Sequence, residues 1–499
     1  MIEKIEICNP SNNRYTTYDL GKTAFKLSFT DEAEILDIPN YTTPVEIYAL
    51  GGDDTITTSA GQNRVHGGDG ADTITVNGNG HVIYGDAGDD TIIGGDDSYT
   101  IRGGADNDTI TIGNGHSFIY GNDGNDTITT GDGNNYIYGD EGIDIIRSGS
   151  GSDHIYGGSE NDTIWAGDGT NTVQGDAGDD EIHTGSGKDT ITGGTGDDII
   201  WAGEGTNTIT GGTGDDIVHA GSNGDIYNFS YGDGHDVIYD SGSAGSFDTI
   251  HLAQTINPNY INYAIDGDDW LITFTNSPND SIRVKGAAVN PENMIEKIEI
   301  CNPSTHRYTT YDLGRTVFKL SFTDESETLD IQKYTTTVDI YALGGDDTIT
   351  TSAAQDRIHG GEGADTITAN GNDIIYGDAG DDIITGGDDY YQINGGAGND
   401  TITIGNGGGY IHGNEGADII RSGSGNDRIY GGSENDTIWA GDGTNTVQGD
   451  AGDDEIHTGS GNDTITGGTG DDIIWAGEGT NTITGGTGDD IVHAGSNGD

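Results

Sequence analysis

The chain of 499 residues has few cysteines, which could stabilise a fold by disulfides, and few basic residues, which could bind polyanions. It contains two cysteines, Cys8 and Cys301, and seven prolines. Two cysteines cannot build a disulfide framework, so a metal must replace disulfides as the staple. Lys and Arg number 18 against 86 Asp and Glu, a formal net charge of −68. Binding to phosphate groups needs a basic face, so nucleic acid is excluded as a partner.

Long apolar runs are also absent. No stretch of eighteen apolar residues occurs, so no transmembrane segment is expected. The first residues, MIEKIEI, carry glutamates and no apolar core, so no signal peptide is visible. There is no HExxH zinc motif and no Gly-rich phosphate loop followed by Lys. Carboxylates recur with no distinct partner at any one place. We therefore expect that the chain is not an enzyme.

The sequence does have a strict period of nine. Residues 49–228 divide without insertion or deletion into nonapeptides such as GGDGADTIT and GDAGDDTII. The eighth position is β-branched from Ile56 onwards until Tyr227 closes the series. This pattern predicts a stacked β-solenoid in which each nonapeptide is a six-residue turn and a three-residue strand. A disordered Gly/Asn/Asp-rich tract is the alternative, but low complexity alone would not keep an apolar residue at the same position of every repeat.

A second period of eighteen lies in the same array. Every eighteenth residue from Asp54 to Asp216 is an aspartate at position six of its nonapeptide. Two nonapeptides make one coil, so these carboxylates are expected to form a column along one edge of the solenoid. Repeated carboxylates in Gly-rich turns indicate a hard cation with oxygen ligands, and calcium fits best.

The repeats at residues 67–75, 85–93 and 193–201 resemble the RTX, or haemolysin-type, calcium-binding nonapeptide GGxGxDxUx. The resemblance implies an all-β fold of two parallel β-roll solenoids, with Ca²⁺ held by position-six carboxylates and by backbone carbonyls of the turns. The metal ligands that it implies in the odd-numbered repeats are Asp54, Asp72, Asp90, Asp108, Asp126, Asp144, Asp162, Asp180, Asp198, Asp216, Asp347, Asp365, Asp382, Asp400, Asp418, Asp436, Asp454, Asp472 and Asp490.

The even-numbered repeats depart from this pattern at position six. Asn, His, Tyr and Ser replace Asp in much of that column, as at His81 and Tyr99, which are poor calcium ligands. Hydrogen bonding between stacked Asn and Ser side chains is the favoured interpretation there, together with scattered metal sites. The alternative is that Asn offers calcium a neutral oxygen ligand along this column. The aspartates that would hold those scattered ions are Asp153, Asp189, Asp225, Asp427 and Asp463.

The chain also repeats itself on a larger scale, since MIEKIEI opens residues 1–7 and returns at 294–300. We predict a β-rich lead-in at residues 1–48, a first β-roll at 49–228, a β-rich cap and linker at 229–341, and a second, truncated β-roll at 342–499. The linker alternates apolar and polar residues, which predicts antiparallel strands. It resembles the domain that often flanks RTX repeats.

The outward ninth position carries His66, His183, His219, His359, His457 and His493, which we expect at the surface rather than on a metal. Trp165, Trp201, Trp439 and Trp475 share that position. Packing between coils is the favoured explanation for them, and an exposed stripe for sugar or protein contact is the alternative.

The expected function is multi-site calcium binding by a secreted protein that folds after export. Filling the odd-numbered loops alone would take about seventeen Ca²⁺. The resemblance implies type I secretion machinery as a partner and an extracellular or cell-surface location. Alternatively, the chain is the repeat-bearing part of a longer RTX toxin, exoenzyme or adhesin whose effector lies elsewhere. The sequence does not indicate an oligomeric state.

Overall fold

The computed structural model describes residues 4–9, 14–19, 25–38, 44–58, 60–242, 247–290, 293–302, 307–312, 317–321, 325–332 and 334–495. In these ranges the regular structure consists almost entirely of strands, with a 3₁₀ turn at Pro258–Tyr260. The described part of the chain has no helix that is long and apolar enough to cross a membrane. The predicted all-β class is confirmed.

The chain divides into two compact units. The first comprises Met1–Asn262, Ile272–Lys285 and Glu292–Leu313, and the second comprises Tyr263–Leu271, Gly286–Pro291 and Gly314–Asp499. Each unit contains a parallel β-solenoid, as predicted. The residue boundaries proposed from the sequence for the four segments stay predictions.

In the first unit, strands of odd repeats stack into one wall, called here the odd wall. Successive strands are parallel, and within the repeats they are offset by eighteen residues, so Ile92 lies opposite Ile74 on one side and Ile110 on the other. The odd-wall strands are Ile35–Asp37, Thr55–Thr57, Thr73–Val76, Thr91–Gly94, Thr109–Thr111, Thr127–Thr129, Ile145–Arg147, Thr163–Gly169, Glu181–Gly187, Ile199–Trp201, Ile217–His219, His235–Tyr239 and Ser277–Val284.

Strands of even repeats form the opposite wall, the even wall. They are mostly six or seven residues long, so the prediction of three-residue strands is wrong here. The cause is that positions two and three of the next loop keep pairing, as Gly68 does with Asp86. The even-wall strands are Phe25–Ser28, Val45–Tyr48, Arg64–Asp69, His81–Ala87, Tyr99–Ala105, Phe118–Asp123, Tyr136–Glu141, His154–Ser159, Thr172–Ala177, Thr190–Thr195, Thr208–Thr213, Ile226–Phe229, Thr249–Leu252 and Lys297–Asn302.

The second unit repeats this arrangement. Its odd wall consists of Thr328–Asp330, Thr348–Thr350, Thr366–Ala369, Ile383–Gly386, Thr401–Thr403, Ile419–Arg421, Thr437–Trp439, Glu455–His457, Ile473–Trp475 and Ile491–His493. Its even wall consists of Phe318–Ser321, Val338–Tyr341, Arg357–Glu362, Ile374–Ala379, Tyr391–Ala397, Gly409–Glu415, Arg428–Ser433, Thr446–Ala451, Thr464–Thr469 and Thr482–Thr487.

The core of each solenoid lies between its two walls. Position-eight side chains point inward, and from Ile56 to Tyr227 none is more than 4 % exposed. Removing a β-branched side chain of this size from water stabilises a fold by about 1.5–3 kcal/mol. Alternation along each strand turns the neighbouring positions seven and nine outward. The apolar residues that recur every nine positions therefore form the core, as the period predicts.

The turns need a left-handed backbone at positions two and four. In the first repeats, φ is 112° at Gly68 and 132° at Gly70. Glycine adopts this conformation without strain, and Asp and Asn tolerate it better than other residues. Position two is indeed Asp86 or Asn122 in other repeats, where φ is 76° and 77°. The GGxG pattern is thus required by the turn geometry.

Residues between and beside the arrays are mixed in strand direction. Lys4–Asn9 pairs antiparallel with Arg14–Asp19, and Lys297–Asn302 pairs antiparallel with Arg307–Asp312. The strands Ile261–Asp266 and Asp269–Phe274 complete this region. Trp270 is fully buried and stacks on Phe318 at 4.5 Å within the second unit.

Candidate calcium-binding columns

The position-six aspartates of the odd repeats form one buried column in each unit, called here the odd columns. Eighteen of the nineteen candidates are at most 2 % exposed, whereas Asp490 is partly exposed. In each, one carboxylate oxygen accepts a hydrogen bond from the backbone N–H of the previous member of the column. Asp72 accepts from Asp54 at 2.7 Å and Asp198 accepts from Asp180 at 2.8 Å. The structure therefore brings all nineteen residues into two continuous ladders.

The second carboxylate oxygen has no such partner. From Asp54 to Asp216 and from Asp347 to Asp472, every Oδ2 of the two odd columns is buried and makes no hydrogen bond in the described structure. A buried charged oxygen without a partner is strongly unfavourable. These atoms therefore mark places where a cation, or a proton, is needed.

Except at Asp54 and Asp347, whose repeats begin with alanine, each unpaired Oδ2 lies beside the glycine at position one of its own repeat. A Cβ added to Gly193 would fall 2.2 Å from Oδ2 of Asp198 and 2.6 Å from the backbone oxygen of Gly211. The same crowding occurs at Gly67 with Asp72 and Gly85. The carboxylate oxygen and a carbonyl oxygen of the next coil thus border a space that only glycine leaves open. Such oxygen donors fit the preferences of Ca²⁺.

Burial changes the acidity of these groups. It raises the pKa of Asp162 and Asp198 to about 8, and that of Asp126 and Asp180 to about 6, from 3.8. Backbone N–H donors oppose the rise in each case. Neighbouring carboxylates add to it, as Asp144 and Asp180 do at Asp162. The columns are therefore poor environments for negative charge unless a cation compensates.

Three or more His, Cys, Asp or Glu side chains do not converge on one point anywhere in the described residues. A cation in these loops would accordingly depend on backbone carbonyls as well as on the carboxylates of the ladder. The repeat supplies both, because the glycine turn exposes its carbonyls next to position six.

The even column is also a ladder, but its chemistry differs. Its members accept hydrogen bonds from backbone N–H groups, as Asn135 does from Ser117 at 3.0 Å. In these bonds a backbone N–H donates to the side chain of the next coil. The favoured prediction had the stacked side chains bonding to each other, and the structure corrects it in this respect. The Asn135 amide also donates to the backbone oxygen of Gly133 at 2.9 Å, and the Asn207 amide donates to that of Ala202 at 3.0 Å. These amides direct hydrogen-bond donors at carbonyls of their own loops.

The even-column aspartates resemble those of the odd columns. Oδ1 of Asp189 accepts from the backbone of Asn171 at 2.8 Å, while its Oδ2 is buried without a partner. The same description holds for Asp153, Asp225, Asp427 and Asp463. In the first unit these aspartates alternate with Asn135, Asn171 and Asn207.

Sequence analysis missed several members of these ladders. In the first unit Glu34 donates its backbone N–H to Asp54, Asp216 donates to Asp236, and Asp225 donates to Asp248. The spacings there are 20, 20 and 23 residues, so these residues fall outside the eighteen-residue period. In the second unit, Asp356 is position six of an even repeat and lies 18 residues after Val338, so the period could have found it. Asp373 follows Asp356 after only 17 residues, so it falls outside the period.

The position-nine rings stack on one another. His183 lies between Trp165 and Trp201, with ring centroids 5.6 and 4.3 Å away and planes within 12° of parallel. His66 lies between Tyr48 and Tyr84 at 4.7 and 4.4 Å. The faces of these rings are covered by their neighbours, which supports packing between coils. A sugar would need a free ring face, so a sugar-binding stripe is disfavoured.

The family model of the RTX calcium-binding nonapeptide repeat matches more than half of the chain. The matched segments are residues 48–80, 76–110, 84–119, 111–146, 138–173, 147–182, 165–200, 183–218, 192–227, 339–367, 368–393, 403–438, 412–447, 439–474 and 466–499. The chain belongs to this RTX family. The family implies that the β-roll binds Ca²⁺, whereas the number of ions stays a prediction. No curated protein matches the chain.

Proposed function

We propose that this RTX chain is a secreted protein whose folding is driven by calcium. The observation that carries this proposal is the odd column of buried aspartates, each with a carboxylate oxygen that lacks a partner. Removing one partner of a buried ion pair destabilises a protein by about 3–5 kcal/mol, since it leaves an uncompensated charge. Repeating such a penalty at every coil would exceed the stability of an ordinary domain.

Net charge supports the same proposal. At −68 the chain repels itself, and low hydrophobicity adds to its tendency to stay unfolded. About seventeen Ca²⁺ in the odd loops would bring about +34 and halve the formal charge. Because the ions bind the folded loops and not the unfolded chain, their binding energy becomes folding energy.

This coupling suits export. Cytosolic calcium is scarce, so the chain stays extended and can be threaded through type I secretion machinery. Calcium outside the cell then fills the loops, and each occupied coil templates the next. RTX repeat proteins are typically secreted, and the extracellular or cell-surface location proposed here rests on that property of the family.

We assign no catalytic role to the chain. Its odd-column carboxylates recur with the coil, and each one accepts the same kind of backbone hydrogen bond from the coil before it. An active site instead needs groups whose environments differ at one place. The proposed product of folding is a long calcium-bound β-roll that acts through its surface.

Limited proteolysis tests the proposal. Trypsin can cleave the first array at Arg64, Arg102, Arg147 and Lys188, which lie in or beside the stacked strands. With millimolar calcium these sites should resist, and in EGTA they should be cut quickly, with magnesium giving no protection. Mass spectrometry of the fragments would identify the sites. Equal resistance at all four sites in EGTA would contradict calcium-dependent folding.

A further inference from the structure

The stacked rings on the even wall of the second unit are interrupted at one place. The position-nine side chains there run Tyr341, His359, Tyr376, Asn394, His412 and Tyr430 in register. Tyr341, His359 and Tyr376 stack at 4.9 and 4.6 Å, and His412 stacks on Tyr430 at 4.5 Å. Asn394 supplies no ring between the two groups.

A groove of about 280 Å³ opens at this break, and it is called here the ring slot. Its lining includes Tyr376, Gln392, Asn394, Tyr410, His412 and Asn414. The amide of Asn414 donates to Oδ1 of Asn394 at 2.7 Å, which directs the short Asn394 side chain towards Asn414. Two coils separate Tyr376 from His412, or about 9.5 Å. One planar group centred in that gap would lie at the ring spacing found elsewhere in the column.

The first unit shows what fills the equivalent position. There Arg102 lies in register between Tyr84 and Tyr120, as Asn394 lies between Tyr376 and His412. The guanidinium carbon of Arg102 lies 4.4 Å over the centre of the Tyr120 ring. Two odd-wall columns use the same contact, since Arg147 covers Trp165 at 4.1 Å and Arg421 covers Trp439 at 4.3 Å. This fold therefore places guanidinium groups on ring faces repeatedly.

The surroundings of the ring slot favour a cation. None of its lining residues is Lys or Arg. The guanidinium carbon of Arg428 is 5.9 Å from the Tyr410 ring, and this arginine belongs to the following coil. Burial lowers the pKa of His412 and favours a neutral ring, and this effect outweighs the opposing influence of the Asp450 carboxylate, which raises that pKa. The chain as a whole carries a strong negative charge.

We propose that the ring slot binds the guanidinium group of an arginine presented by a partner peptide segment. The arginine would replace in trans the contact that Arg102 makes in the first unit. A guanidinium group is planar and weakly hydrated, so it can lie between two rings, whereas a lysine ammonium group is compact and strongly hydrated. Arginine should therefore bind better than lysine, although both attract the acidic chain.

Saturation-transfer NMR on the calcium-loaded full chain tests this proposal, with N-acetyl-arginine amide as the probe and N-acetyl-lysine amide as its control. Asn394→Arg should fill the slot from within and weaken arginine binding by about fivefold or more. Arg102→Asn should open an equivalent slot in the first unit and increase the bound arginine about twofold.

Gln448→Arg is the matched control. It adds the same charge at position nine of another even repeat in the same unit, and leaves the slot open. Circular dichroism with calcium checks that every variant is folded. Arginine binding that survives Gln448→Arg but not Asn394→Arg supports the proposal. Equal binding by the two variants, or equal binding of arginine and lysine by the native chain, overturns it.

Discussion

At the scale of single residues, chemically different side chains occupy the same position six. Asp162 accepts one backbone hydrogen bond and leaves one oxygen for a cation. Asn171 accepts the same kind of bond but turns its amide to the backbone oxygen of Gly167 at 3.2 Å. His81 uses Nδ1 as the acceptor for Asn63 at 3.2 Å. The ladder thus tolerates many side chains, whereas an unpaired oxygen is special to the carboxylates.

Replacing Asp162 by Asn tests the role of that oxygen. The amide can keep the backbone hydrogen bond but removes one carboxylate from the centre of the odd column. We expect the loss of about one bound calcium ion and of about 1–3 kcal/mol of stability in calcium. Isothermal titration and calcium-dependent thermal melting would measure both.

The control for this change is Asp179→Asn. Asp179 is exposed at position five, and its Oδ1 accepts from Asp197 at 2.9 Å, which asparagine can also do. The control removes the same charge without changing any side chain of the odd column. If both variants lost calcium equally, net charge rather than the buried oxygen would govern binding.

At the scale of the element, the two loop edges of one solenoid differ. Every odd loop from Asp54 to Asp216 offers a carboxylate, whereas even loops from Asn135 to Asp225 alternate amide and carboxylate. The amide donates to carbonyls of its own loop, a hydrogen bond that an ionised carboxylate at the same position cannot make. The even edge should accordingly depend less on calcium.

The substitution Asn171→Asp should give this even-edge loop the position-six carboxylate that every odd loop has. It places a third carboxylate in the column between those of Asp153 and Asp189, and it should add about one calcium ion. Direct counting by equilibrium dialysis would show the gain. Asn161→Asp, at an exposed position five, adds the same charge as a control and should leave the calcium count unchanged. If Asn171→Asp bound no additional calcium, the position-six side chain would not explain the difference in calcium binding expected between the two edges.

At the scale of the whole molecule, protons and calcium compete for the same columns. Burial raises the pKa of the odd-column aspartates from 3.8 to about 8 at Asp108 and Asp436. A raised pKa in the folded form means that the metal-free fold binds protons more tightly than the unfolded chain. Its stability is therefore greatest below about pH 4 and is lost as the pH rises towards about 8. Calcium needs the ionised carboxylates, so its affinity changes in the opposite direction.

This competition predicts that acidification favours folding of the metal-free chain but opposes folding by calcium. In EGTA, β-structure should increase as the pH falls from about 8 to about 4, since protonation removes both the buried charges and the self-repulsion. In calcium, the midpoint concentration should rise over the same interval. Circular dichroism at a series of pH values would record both curves. A metal-free chain that loses β-structure on acidification would show that the columns do not control folding.

Much of this architecture could be predicted from the sequence because its cause is local. Ile92 and Asp90 recur at fixed positions, and a fixed period places equivalent residues in register. Predictions failed where the cause was not periodic. Asp248 joins the even column after a spacing of 23 residues, and the Asn135 amide contacts depend on a side-chain rotation that no pattern reveals. The break in the ring column at Asn394 likewise becomes visible only when the side chains stacked on either side of it are known.

The most direct test of the central claim is far-UV circular dichroism during a calcium titration of the purified chain, with magnesium as the control. Calcium-driven folding predicts a disordered spectrum in EGTA and a cooperative transition to β-structure with calcium alone. Extracellular calcium modules bind at about 10⁻⁴–10⁻³ M, and the midpoint should fall near that range. A β-spectrum that is unchanged in EGTA would contradict the account, because the isoleucine walls and side-chain ladders would then suffice to hold the fold.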